Sequence, residues 1–471
     1  MEKSKLIDAT RQYDTVTNNG AVTHSTSLNR CLDLFFLAGA SRNISDEQII
    51  NLFSMAVVED RKLAFRILFW ARDCRGGAGE KRFFRVIAKW CSVHMKKEYD
   101  AVSNLIPEYG SWKDVFIIEE SMINDVTLNW LSVQLMENPN KNLLAKYFPR
   151  KGPWFVAMHK HFGMSPKKFR KILVEMTDVV ETKLCNKEYS EINYSSVPSV
   201  AMKTYMPTFL SKDEVRYRKY IADVMDGKSK INASVLFPHQ VIKTLRRDNV
   251  DACQAMWDAL PNYMEDSSER ILPVCDVSGS MSGLPMEVSI ALGLYISERN
   301  KSIFKDAFIT FSERPTMQYV QGNNLNDKVL SMAHADWGMS TNLQATFDLI
   351  LRSAVRESIP ESDMPTKLLI ISDMEFDQCG SENTNLDVIR QKYAEAGYTM
   401  PEIIFWNVNG RVGNVPANKY DSRIGLVSGF SPSILKSILQ GEVETPTQLM
   451  LRTVHTVRYE IVEECLDTFV D

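Results

Sequence analysis

From Leu28 onward, apolar positions recur with a helical period. Leu28, Cys31, Leu32, Phe35 and Phe36 fall on one face of a predicted helix. Asp46-Glu47 opens a second helix toward Met55, Lys62 to Asp73 makes a third, and Lys81 to Val93 a fourth. Between the last two, Arg75-Gly76-Gly77-Ala78-Gly79-Glu80 breaks the pattern. Helix, short loop and helix then alternate to about residue 260, punctuated by Pro107, Pro139, Pro149, Pro153, Pro198, Pro207 and Pro238. No strict repeat is present, yet many short helices without intervening strands predict a curved helical array.

After about residue 268 the period changes. Apolar runs at 271–275, 305–311, 367–371 and 402–408 alternate with helical stretches near 287–300, 342–356, 384–396 and 431–440. Strands alternating with helices predict a doubly wound α/β domain. The expected organisation is an irregular segment 1–27, a helical domain 28–267, an α/β domain 268–444 and a C-terminal helical segment 445–471, which opens on the helix-start signal Thr445-Pro446-Thr447. A length of 471 residues favours more than one domain.

Apolar content of 44% and charged content of 24% are those of a soluble globular chain. No run of about 18 apolar residues predicts a membrane span, so no membrane partner is expected. The opening Met1-Glu2-Lys3-Ser4-Lys5 leads into polar sequence rather than an apolar signal region. Cysteines at 31, 74, 91, 185, 253, 275, 379 and 465 form no Cys-x-x-Cys pair, which points to reduced thiols and a cytoplasmic compartment. The net charge of −4 hides an asymmetry: residues 141–250 carry 21 Lys plus Arg against 10 Asp plus Glu. Such a segment is either a localised polyanion surface or a set of solvated helix faces balanced by neighbours.

The chemistry concentrates in Asp276-Val277-Ser278-Gly279-Ser280, on the loop after the run Ile271–Cys275. One carboxylate and two hydroxyls at alternate positions suit a hard divalent cation, with Mg²⁺ the natural choice. Thr341 precedes a helical pattern from Ala345 to Ala354, and Asp373 ends the run Lys367–Ile371. In a parallel sheet both aspartates would lie at the carboxyl ends of strands. The bland alternative is that Ser278 and Ser280 cap the next helix and Asp373 its own loop. Glu375 and Asp377 extend the acidic alternation and could serve a second metal, but are expected to be exposed loop residues.

In the helical half, Arg72, Arg75, Lys81 and Arg82 surround the glycine loop. Exposed N–H groups and a helix N-terminus there could hold a phosphate; alternatively the glycines make a tight corner with Arg72 and Asp73 in internal ion pairs. No Walker loop follows, so nucleotide hydrolysis has no support. Further along, Lys167, Lys168, Arg170, Lys171, Lys203, Arg216, Arg218, Lys219, Lys228 and Lys230 are interleaved with aromatics. That mixture suits single-stranded nucleic acid, although Phe169 and Tyr220 are expected in the core. Seven scattered histidines without the spacing of a helical zinc pair, and no Gly-x-Ser-x-Gly elbow, predict a non-enzyme.

The Asp-x-Ser-x-Ser motif with Thr341 and Asp373 resembles the metal-ion-dependent adhesion site of von Willebrand factor A domains, whose five ligand positions map onto Asp276, Ser278, Ser280, Thr341 and Asp373. Other stretches resemble, in order, a family of plant and large-virus proteins that joins a helical module to a C-terminal von Willebrand A domain. These are 19–23, 31–36, 72–80, 106–114, 192–199 and 227–233. Helices followed by an adhesion site, with an Arg-x-x-Arg-Gly-Gly-x-Gly corner, are also similar to the Ro autoantigen and its TROVE module. That resemblance implies HEAT-like repeats closed into a ring by the α/β domain. It further implies binding of small non-coding RNAs on a basic surface and of single-stranded RNA ends in the hole. A rival expectation is an interaction or viral assembly module, located in host cytoplasm or virion, whose metal accepts a carboxylate from a protein partner.

Overall fold

A computed structural model describes residues 14–137, 141–335, 337–338, 340–378 and 385–468. Met1-Glu2-Lys3-Ser4-Lys5, Pro139, Met339 and Cys379 lie outside them. The chain opens with a small antiparallel hairpin, β1 (Thr15–Val16) and β2 (Val22–Thr23), in the register Thr15↔Thr23 and Val16↔Val22. Gly20 turns it with φ +86, and its N–H donates to the Thr17 carbonyl at 3.1 Å. The expectation of an irregular segment therefore fails at residues 15–23. The polar composition reads as loop, but this hairpin is bonded to a partner more than 300 residues away.

Helices follow at Arg30–Ala38, Asp46–Glu59, Arg61–Arg72 and Lys81–His94. Each of the first three has a side-chain N-cap, from Asn29, Ser45 and Asp60 respectively, which satisfies an otherwise orphaned N–H. Further helices continue through Val250–Asp258. Phe169 and Tyr220 are buried, as expected of core residues.

The second half holds a six-stranded sheet: β3 (Ile271–Asp276), β4 (Ala307–Phe311), β5 (Met317–Tyr319), β6 (Lys367–Ser372), β7 (Glu402–Asn407) and β8 (Ile424–Ser428). Their spatial order is β5-β4-β3-β6-β7-β8, parallel except for β5. The order reverses between β3 and β6, and in such sheets the crevice at the carboxyl ends of those two strands is where ligands bind. Two strands escaped the sequence reading. β5 has two exposed residues and no apolar run, and β8 is interrupted by Gly425. That glycine makes room for its neighbours, since a Cβ there would meet Leu449 Cδ2 at 2.6 Å. The helical stretch expected at 431–440 is a 3-10 turn, Pro432–Ile434, followed by one helical turn, Leu435–Ile438.

One apolar cluster runs from Ala21 to Leu466 and takes in both halves. The first helix packs on the sheet edge: Ser428 Oγ donates to the Phe35 carbonyl at 2.9 Å and accepts from the Gly39 N–H at 3.0 Å. The last helix, Val457–Asp467, lies on Arg61–Arg72, joined by Arg66–Glu463 at 2.5 Å. At the other end, Trp257 Nε1 donates to Glu298 at 2.6 Å and Arg299 sits 4.2 Å from the Tyr295 ring.

The glycine corner belongs to this framework. N–H groups of Arg75, Gly77, Ala78 and Glu80 are already bonded within residues 70–80. A Cβ on Gly77 would lie 2.0 Å from the Trp70 carbonyl oxygen. Asp73 accepts from Arg458 at 2.5 and 2.9 Å and from Tyr459 at 3.0 Å. Arg72 is 1% exposed and grips Asp114 through two N–H groups at 2.8 and 2.6 Å. Of the two readings of this loop, the structure makes the tight corner with internal ion pairs. Replacing Asp114 with alanine would strand the Arg72 charge in the interior, and removing one partner of such a pair costs about 3–5 kcal/mol. We expect Asp114→Ala to lower the denaturant midpoint by that equivalent, measured by urea unfolding followed by circular dichroism.

Candidate metal centre and basic surface

β3 carries Asp276 to the crevice at the order reversal. Cys275 is held beneath the helix Leu284–Arg299 at Gly293, where an added Cβ would lie 2.2 Å from the Cys275 sulfur. Asp276 Oδ1 accepts the Ser278 N–H at 2.8 Å, which folds the loop back over the strand end. A 3-10 turn, Gly279–Met281, then sets the Ser278 and Ser280 hydroxyls 3.2 Å apart. Ser372, the last residue of β6, donates to Asp276 Oδ2 at 2.5 Å. Asp373 follows, its carboxylate accepting the Glu375 N–H at 3.2 Å. The structure thus joins Asp276, Ser278 and Ser280 in one hydrogen-bonded group and sets Asp373 beside it, near enough to Asp276 for the two charges to be felt.

Thr341 arrives on a separate loop tied to residues 375–377. Its N–H donates to Asp377 Oδ2 at 2.8 Å, and its hydroxyl donates to the Glu375 carbonyl at 2.6 Å. With its proton directed there, the hydroxyl oxygen keeps lone pairs for another partner. Asp276, Ser278, Thr341 and Asp373 are buried, whereas Ser280 is exposed at the rim.

The electrostatics are those of an uncompensated anionic pocket. Burial and then the neighbouring Asp373 push the Asp276 carboxyl up to about 7, and burial raises Asp373 as well. Among the described residues, neither carboxylate has an ion-pair partner, and the Ser340 hydroxyl beside Thr341 is buried without one for hydrogen bonding. A donor set of two carboxylates and three hydroxyls, short of positive charge, fits a hard divalent cation.

Sequence reading missed the shell around this group. Glu375, expected to be exposed, is buried: Arg411 pairs with it at 2.8 Å, and Asn414 donates to it at 3.2 Å. Asp377 is half-buried because it holds the Thr341 backbone. Ser372 could have been found as the hydroxyl adjoining Asp373. Nothing local signals Arg411 or Asn414.

The basic candidates separate into two groups. Arg72 is interior, and Arg82 donates to the Ser41 and Ile44 carbonyls at 3.1 and 2.7 Å and pairs with Asp46. Arg216 donates to the carbonyls of Tyr189, Ser190 and Ile192 and lies 4.8 Å from the Tyr194 ring. These three serve the fold: Arg82 and Arg216 spend their N–H groups on backbone oxygens and carboxylates, and Arg72 is buried against Asp114. Arg75 donates to the Glu108 carbonyl, Arg170 sits 4.6 Å from the Phe155 ring, Arg218 pairs with Glu214 at 2.8 Å and Lys228 with Asp226 at 2.7 Å. All four remain at the surface, as do Lys81, Lys167, Lys168, Lys171, Lys219 and Lys230.

Lys203 is half-buried, and its ammonium is lowered by burial and then by the charges of Lys81 and Lys243. Beside this cluster, the His239 ring stands edge-on to Phe430 at 5.4 Å, with Nδ1 buried and unbonded. Sequence reading missed Lys243 and His239, since nothing in the sequence brings the short helix Pro238–Ile242 to Lys81 and Lys203.

Family comparisons divide the chain at the same place as the change from helices to sheet. A family described as Domain of unknown function (DUF2828) matches residues 17–127 and 162–270, and Domain of unknown function (DUF7788) matches 270–464. Uncharacterized protein L728 of Acanthamoeba polyphaga mimivirus is 31% identical over 498 aligned positions, covering 93% of this chain and 86% of that one. The chain belongs to this two-part family. Among solved structures, the crystal structure of the Deinococcus radiodurans RO (RSR) protein aligns with a TM-score of 0.42 at 12% identity, over 91% of this chain and 99% of that one. Among the described residues, no helix is long and apolar enough to cross a membrane.

Burial, followed by the charges of Arg42, Lys203 and Lys243, pushes the His239 imidazole down to about 3. Its unfolded value is about 6.5. Between these limits the unfolded chain binds a proton that the folded chain refuses, so stability is intact above about 6.5 and is lost as pH falls. We expect the urea midpoint to fall less steeply between pH 7 and 4 in His239→Phe than in the unaltered protein.

Proposed function

We propose that this chain is a non-enzymatic RNA-binding protein of the Ro or TROVE type, with Mg²⁺ in a von Willebrand A-like C-terminal domain. The observation that carries the RNA reading is the crowding of Lys81, Lys203 and Lys243. Three cations share one region; Lys243 is paired with Glu287 at 2.9 Å, but the half-buried Lys203 has no counter-ion at hydrogen-bonding distance among the described residues. Like charges held together this way are relieved by a polyanion. Exposed Lys167, Lys168 and Lys171, on the helix Pro166–Glu175, offer a second stretch for phosphates. Small structured RNAs or single-stranded ends are the expected ligands, because sequence-tolerant basic surfaces read backbone and shape.

Asp276, Ser278, Ser280, Thr341 and Asp373 would hold the cation. Bound there, it would neutralise the two buried carboxylates and could accept an outside ligand. A second reading, a metal-dependent protein-interaction or assembly module, draws on the exposed position of Ser280 at the rim of that pocket. A partner carboxylate could approach the ion from that side.

Filter binding of a small structured RNA across a salt series tests the first reading. The affinity should fall steeply with salt. Combined Lys81→Glu and Lys203→Glu should weaken it at least tenfold, while Asp276→Ala leaves it intact. Equal affinity in the charge-reversed protein sinks the RNA reading. Protein partners lost on EDTA treatment and in Asp373→Ala would favour the second.

A further inference from the structure

The N-terminal hairpin has a place at the metal centre that its sequence position does not suggest. The Asn19 side-chain amide donates to Thr341 Oγ1 at 3.3 Å and to the Glu375 carbonyl at 2.7 Å. That carbonyl also takes the Thr341 hydroxyl proton, so one oxygen orients both groups. The Asn19 backbone carbonyl accepts the Gln378 N–H at 3.2 Å. Asn18 N–H donates to Glu375 Oε2 at 2.6 Å, and the Thr17 hydroxyl donates to the Phe376 carbonyl at 2.7 Å. The loop after β6 is thereby held at residues 375, 376 and 378 by three consecutive positions, Thr17, Asn18 and Asn19.

The hairpin is itself anchored. Ala21 is buried, the Thr23 hydroxyl donates to the Val415 carbonyl at 2.9 Å, and the backbones of His24 and Val415 exchange hydrogen bonds at 3.1 and 2.9 Å. Arg411, which pairs with Glu375, also donates to the Val16 carbonyl at 3.3 Å. Gly20 is needed at the turn: φ +86 is the left-handed region, and it leaves Asn19 facing the loop. The stretch 19–23 carries no ligand chemistry of its own, and this placement explains what its Asn-Gly pair does.

We propose that Asn19 is a positioning residue of the metal centre, and that closure of the hairpin over residues 375–378 and cation binding at Asp276, Asp373 and Thr341 favour one another. The inference rests on the metal reading above. Outer-shell hydrogen bonds fix the orientation of a ligand, and losing one typically costs about 10–100-fold in affinity. Linkage is reciprocal, so the cation must stabilise the hairpin by the same factor that the hairpin strengthens the cation.

The test uses the full chain and Mn²⁺ as a paramagnetic probe, with free ion counted by electron paramagnetic resonance. Asn19→Ala and Asn19→Leu should raise the Mn²⁺ dissociation constant roughly tenfold, with unfolding of the metal-free protein little changed. In the unaltered chain, Mg²⁺ should slow amide exchange across residues 14–24, a readout that needs no variant. Asp373→Ala serves as the control. If the unaltered protein binds no Mn²⁺, or Asp373→Ala binds it equally well, the metal reading falls and this inference with it. If Asp373→Ala abolishes binding while both Asn19 variants bind normally and exchange at 14–24 ignores Mg²⁺, the hairpin is only a cover and this inference alone is overturned.

Discussion

Gly39 and Gly429 pass so closely that a Cβ on Gly39 would lie 2.5 Å from the Gly429 Cα. Gly429 also takes φ +116, which favours glycine. This approach lets the first helix lie against β8, with Ser428 bonded to both Phe35 and Gly39. Much follows from it. β8 is a terminal strand of the sheet, and an uncovered strand edge invites unwanted pairing. The helix lies against it, and the same docking brings the residues just before the helix to the β6 end of the sheet. The hairpin at 15–23 reaches the Thr341 and Glu375 loops from there. A helix from the beginning of the chain thus supports a sheet from its second half.

Two clusters of like charge have opposite electrostatic problems. At the sheet's order reversal, Asp276 and Asp373 are buried together with hydroxyls and, among the described residues, with no ion-pair partner. Near the start of the helix Lys81–His94, Lys81, Lys203 and Lys243 crowd together, and His239 stays neutral because a further charge could not be solvated. Elsewhere the interior pairs its charges closely, as Arg72 with Asp114 and Asp73 with Arg458. Lys243 is met by Glu287 at 2.9 Å, so Lys81 and Lys203, like Asp276 and Asp373, are the charges left without an ion pair among the described residues.

The change of period near residue 268 made the two-part organisation legible, because a helix repeats every 3.6 residues and a buried strand reads as a continuous apolar run. Asp276, Ser278 and Ser280 were legible for a similar reason: they occupy one short loop whose geometry is local, and Asp373 follows a clear apolar strand. Thr341 could be placed only by resemblance. The glycine corner was legible as a break, but its sequence served an anion site and a tight turn equally well. Only the bonds from Arg72 to Asp114 and from Asp73 to Arg458 decided between them.

What the sequence determined by itself was therefore local: helices with their caps, the parallel strands with long apolar runs, and the ligand chemistry of one loop. What the tertiary structure decided was long-range. Arg82 and Arg216, basic surface residues by pattern, are bound to backbone carbonyls, while Lys243 joins a cluster that no spacing reveals. Asn19, Arg411 and Asn414 enclose Glu375 from opposite ends of the chain. Local periodicity is set by backbone geometry over a few residues. Which carboxylate is buried and which cation is left unpaired depends on distant segments meeting, and one apolar core shared by both halves brings those segments together.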